Sequence, residues 1–109
     1  MLDETIIQRA ADRLAGAASS PSRVILFGSY ARGTADAGSD LDLMVIEQTL
    51  ADPGAEYLVL MQALGRVAPG VGVDLLLYPQ GEFERRSQVP GTVLYRARLE
   101  GKVLHDSLA

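Results

Sequence analysis

Three short apolar runs, at residues 23–27, 40–47 and 71–78, are separated by segments of helical length. That spacing most constrains how this chain can fold. The first carries Val-Ile-Leu-Phe, whose length and β-branching suit a buried strand. Between the runs the chain changes period. Ile6, Ile7, Ala10, Ala11 and Leu14 recur at helical spacing behind Asp3, a natural N-cap, and that helix is expected to end near Gly16. Asp52-Pro53 reads as a cap followed by Pro at the first helical position, with the helix running to about residue 68 and breaking at Pro69-Gly70. A last helix is predicted from Thr92 to about Glu100, capped by Gly101 and followed by a short edge strand at residues 102–105. Strands alternating with helices imply an α/β sandwich, a mixed sheet packed with helices. A length of 109 residues predicts one domain, residues 1–109.

With 48% hydrophobic residues, the chain is expected to bury a core. Its net charge of −4 argues against a basic face that grips nucleic acid directly. A single nucleotide remains compatible, since a metal can carry the compensating charge. The absence of cysteine removes disulfides and thiolate metal sites from consideration. No apolar run approaches the roughly 20 residues of a membrane span. The opening Met1-Leu2-Asp3-Glu4 has no basic, then apolar, leader pattern, so a cytoplasmic protein is expected.

Asp40 and Asp42 stand two apart on the second predicted strand, so both carboxylates face one way while Leu41, Leu43 and Val45 face the opposite layer. Two ionised carboxylates side by side raise each other's pKa, and a cation between them relieves the repulsion. Oxygen donors of this kind suit Mg²⁺ or Mn²⁺. Asp74 is a third acid within Val-Gly-Val-Asp-Leu-Leu-Leu, costly there unless paired, exposed at the strand end or bound to metal. An Asp-x-Asp by itself is usually a solvated strand end, and a lone Asp is often an arginine's partner. Gly28-Ser29 ends the first run and opens a turn or short helix to Gly33. Such a turn aims N–H groups at an anion, Ser29 adds a hydroxyl, and Arg32 can add charge-assisted bonds.

Gly28-Ser29, ten residues, then Asp40-x-Asp42 resembles the signature of the DNA polymerase beta-like nucleotidyltransferase superfamily. The longer stretches from Leu26 to Gly33 and from Ser39 to Leu43 are similar to the minimal nucleotidyltransferases, the compact partners of HEPN toxins in prokaryotic toxin–antitoxin pairs. Asp74 and the ending Glu100-Gly101-Lys102-Val103-Leu104 also have counterparts there. The resemblance implies the polymerase beta-like fold and two Mg²⁺ ions held by Asp40, Asp42 and Asp74. It implies nucleotide phosphates bound by Gly28, Ser29 and Arg32, and an acceptor hydroxyl activated with help from Asp74. The expected reaction moves a nucleoside monophosphate, AMP from ATP, to a hydroxyl such as a tyrosine of a HEPN toxin, in the role of an antitoxin. Two alternatives stand beside it: a small-molecule, antibiotic-type nucleotidyltransferase, and an antitoxin that neutralises by binding alone.

His105, the only histidine, is read as surface or core rather than catalytic, and Glu82, Glu84, Arg85 and Arg86 as a solvated charged face. Tyr30 fits core packing as well as a nucleotide contact. Tyr57, Tyr78 and Tyr95 carry no signal.

Overall fold

The structure, a computed structural model, describes residues 1–108. Helix α1 (Glu4–Ala17) starts where Asp3 accepts a hydrogen bond from the Ile6 N–H at 2.9 Å, and it buries Ile7, Ala10, Ala11 and Leu14. The chain continues through β1 (Ser22–Phe27), α2 (Ser29–Arg32), β2 (Leu41–Glu47), α3 (Pro53–Leu64), β3 (Val73–Pro79), α4 (Gln80–Arg86), α5 (Val93–Glu100) and β4 (Lys102–Asp106). The strands form one mixed sheet in the order β3-β2-β1-β4. β1 runs antiparallel to both β2 and β4, and β2 runs parallel to β3.

Alternation along the strands divides the core into two layers. On one face Val24, Leu26, Leu41, Leu43, Val45 and Leu75 pack against Leu14 of α1 and Leu60 and Leu64 of α3. On the other, Ile25, Phe27, Met44 and Ile46 pack against Phe83 of α4 and Leu94 and Ala97 of α5. β2 is central and buried at every position but Asp42, which explains its near-continuous apolar sequence.

The expected boundaries need four corrections. α3 stops at Leu64, short of residue 68, because Gly65 takes a positive φ of 59° and its N–H closes the helix on the Met61 carbonyl at 3.1 Å. β3 begins at Val73 and is half-buried, because it lies at the sheet edge. Asp40 stands just before β2, whose pairing starts with the Leu41 N–H donating to the Gly72 carbonyl at 2.9 Å. The charged stretch around Glu82 hides a helix, α4: its outward face carries the Arg86–Glu82 pair at 2.8 Å, and Phe83 alone points inward.

Candidate active site

The strand register brings two of the three acids together. Asp42 pairs across β2–β3 with Asp74 and across β1–β2 with Phe27, so all three side chains share the sheet face on which α4 and α5 lie. The two acids stand at the strand starts, beyond the apolar core of that face. Phe27, Asp42, Asp74, Val73, Leu75, Leu76 and Tyr57 line a cleft of about 330 Å³ there. A larger hollow of about 480 Å³ lies on the surface of α1, among Glu4, Thr5, Gln8, Arg9 and Asp12, away from these acids.

Glycines make room for the carboxylates. Gly28 has φ 74° and ψ −155°, and a Cβ there would collide with the Asp42 carboxylate, its Cγ lying 2.9 Å away. Asp42 therefore rests against the backbone where β1 turns into α2. Gly72 does the same for Asp40: a Cβ would stand 2.7 Å from its Oδ1. Sequence reasoning missed Gly72, although a glycine directly before an apolar strand with an acid is a usable signal.

Burial is the main cause that lifts the Asp42 carboxyl to about 6. The Asp74 side chain, within hydrogen-bond reach, lifts it further, and so do the charges of Asp74 and Asp40; Arg32 opposes them. In the metal-free protein Asp42 thus holds a proton near Asp74 in mildly acid solution. Among the described residues, no three acid, histidine or cysteine side chains converge into a preformed cage. Asp40 acts on Asp42 by charge, from an exposed position just outside the cleft.

Ser29 opens α2 directly after Gly28, and the carbonyl of Gly28 takes the N–H groups of Ala31 and Arg32, each at 3.1 Å. Arg32 lies close enough to act on Asp42, and its guanidinium also pairs with Glu100 at 3.5 Å. Both groups of that pair are 40% exposed, so the contact is weak and leaves Arg32 available to a stronger anion. Tyr30 belongs to the core beside α1, and its hydroxyl accepts from the Leu2 N–H at 3.1 Å. His105 pairs with Val24 on β4. Tyr57 is the cleft residue sequence reasoning passed over; one exposed tyrosine on an apolar helix has no pattern to mark it.

A family model described as a nucleotidyltransferase domain matches residues 7–105. The chain belongs to that family. No curated protein matches the sequence. Three solved structures share the fold of this nucleotidyltransferase domain. One is a toxin–antitoxin with AMP-PNP, 26% identical over 93% of this chain and 74% of its own, at a TM-score of 0.62. Another is a mutant toxin–antitoxin named MntA-HpeT, 25% identical over 98% and 76%, at 0.63. The third is a candidate nucleotidyltransferase from Sulfolobus solfataricus, 17% identical over 94% and 78%, at 0.62. The α/β fold with a mixed four-stranded sheet is therefore a nucleotidyltransferase fold, as the resemblance carried by Gly28, Ser29, Asp40 and Asp42 implied.

Proposed function

We propose that this nucleotidyltransferase transfers AMP from ATP to a hydroxyl of a protein partner, a tyrosine of a HEPN-type toxin, and so acts as an antitoxin in the cytoplasm. One observation carries the reading. Asp42 and Asp74 are paired by register and set against Gly28 in a single open cleft. Likeness to a toxin–antitoxin with AMP-PNP supports the nucleotide and the context.

The donor set suits Mg²⁺ or Mn²⁺: Asp42 and Asp74 offer adjacent hard oxygens whose mutual repulsion a cation would relieve, and Asp40 adds charge beside them. Bound there, a pair of such ions would neutralise phosphate charge and stabilise both the attacking and leaving oxygens. Ser29, the adjacent backbone of α2 and Arg32 hold the phosphate tail at the end of β1. The acceptor enters the same cleft, which Tyr57 lines. Its oxygen bonds to the α-phosphorus, the bond to the bridging oxygen of the β-phosphate breaks, and pyrophosphate leaves. The hydroxyl proton passes to Asp74.

Incubating the protein with α-labelled ATP, Mg²⁺ and the protein encoded beside it tests this. Label on the partner, lost with Asp42→Asn, is the expected result. A tight complex without label, equally inhibitory with Asp42→Asn, would replace catalysis by binding alone.

A further inference from the structure

At the far end of β2 from the active-site acids stands a second pair of carboxyls. Glu47, the last residue of β2, has no exposed surface, and Glu56, in the first turn of α3, is 8% exposed. Glu56 is well supplied with donors: the Ser19 N–H at 2.8 Å and the Ser19 hydroxyl at 2.6 Å. Glu47 is not. Its Oε1 faces the Ser20 hydroxyl at 3.2 Å, whose one hydrogen is also within reach of the Thr49 carbonyl at 3.0 Å. Its Oε2 is buried and has no donor among the described residues.

A buried, ionised oxygen without a donor is costly, and natural folds avoid it. Among the described residues lining the site, no cation answers it. The residues around the pair are Ser19, Thr49, Leu50, Ala51, Ala55 and Val59, and the one other acid, Asp52, caps α3 at the Ala55 N–H. The strand neighbours Ser22 and Pro79 are uncharged. A proton on Oε2 turns the orphan acceptor into a donor, with the Glu56 carboxylate within hydrogen-bond reach. We propose that Glu47 and Glu56 share one proton, and that this proton latches the start of α3 to the ends of β2 and α1. Burial and the Glu56 carboxylate push the Glu47 carboxyl up to about 7, while the Glu47 contact and the Ser19 donors lower that of Glu56. The proton thus resides on Glu47. Tyr57, next to Glu56, lines the active-site cleft, so the latch also holds one wall of that cleft. The inference stands whatever nucleotide or acceptor the cleft takes.

Urea unfolding from pH 5 to 8.5 of the wild type and Glu47→Gln tests the latch. Gln keeps a donor permanently in the place of the shared proton. Glu47 binds its proton more tightly folded than unfolded, so its contribution is whole below about pH 4.5 and disappears as pH rises through about 7. Relative to Glu47→Gln, the wild-type ratio of folded to unfolded protein should fall about tenfold per pH unit between about pH 5 and 7, then level off. Hydrogen exchange at the start of α3, corrected for intrinsic rates, should rise over the same range in the wild type only. Infrared spectra at pH 6 of Asp42→Asn, which removes the other raised carboxyl, should carry the carbonyl band of a buried, protonated carboxyl. Equal pH slopes in the two proteins, or no such band, would overturn the proposal. So would a gain in wild-type stability at pH 8 with Mg²⁺ or Ca²⁺ that exceeds the gain of Glu47→Gln, whose active-site acids are intact, since a cation would then fill the place of the proton. If Glu47→Gln does not fold, the infrared band of Asp42→Asn decides.

Discussion

Replacing Gly28 by alanine puts a methyl group where the Asp42 carboxylate lies. The cost has two parts. The backbone at φ 74° and ψ −155° is a conformation that L residues almost never adopt, worth about 1–3 kcal/mol. The methyl also meets the Asp42 Cγ at 2.9 Å, so the carboxylate must swing off its rotamer for about 1 kcal/mol more. The expected loss is therefore about 2–4 kcal/mol, which lowers the urea midpoint by about 1–2 M at a slope near 2 kcal/mol/M. Gly33→Ala is the matched control. Its φ of 75° is as positive, with ψ 19°, but nothing lies within 4 Å of the added Cβ. It should cost about 1–2 kcal/mol and leave transfer near wild type. Gly28→Ala, which displaces Asp42, should also lower transfer by about 100-fold under conditions where the variant is folded. Equal effects of the two substitutions on stability and on transfer would refute the view that Gly28 exists to seat Asp42.

Asp42→Asn should abolish transfer yet stabilise the metal-free protein. The folded Asp42 carboxyl is raised to about 6, so its contribution is favourable below about pH 4 and lost as pH rises through 6; at pH 7.5 the variant should gain on the order of 1–2 kcal/mol after allowance for solvent screening, read by urea unfolding. Mg-ATP at about 100 times its dissociation constant should stabilise the wild type by about 2.7 kcal/mol, an effect that EDTA removes and Asp42→Asn lacks. An unmoved melting temperature at millimolar Mg-ATP would count against a nucleotide site. Thr92→Ala removes the cap that accepts from the Tyr95 N–H at 3.1 Å and should cost about 1 kcal/mol in the same unfolding assay, with transfer unaffected.

Local chemistry accounts for the features that are legible in the sequence. Asp3 and Asp52 cap their helices as expected, and Thr92, read as the first residue of the last helix, is its cap; a cap is a contact between residues three apart. Apolar periods located the strands and assigned Leu41, Leu43 and Val45 to the layer opposite Asp42, since strand alternation is a property of the single chain. The resemblance of Gly28-Ser29 and Asp40-x-Asp42 to the superfamily signature was legible for a related reason: both halves of the motif lie within one stretch of 15 residues. Tertiary structure decided everything that depends on which strand lies beside which. The pairing of Asp42 with Asp74 and the use of Gly72 to admit Asp40 cross from β2 to β3 and its lead-in. The approach of Tyr57 to the cleft, and of Glu56 to Glu47, depends on how α3 lies against the sheet. α4 escaped notice because one buried side chain, Phe83, makes no period; only the face of β2 and β3 beneath it supplies the partner that holds the helix in place.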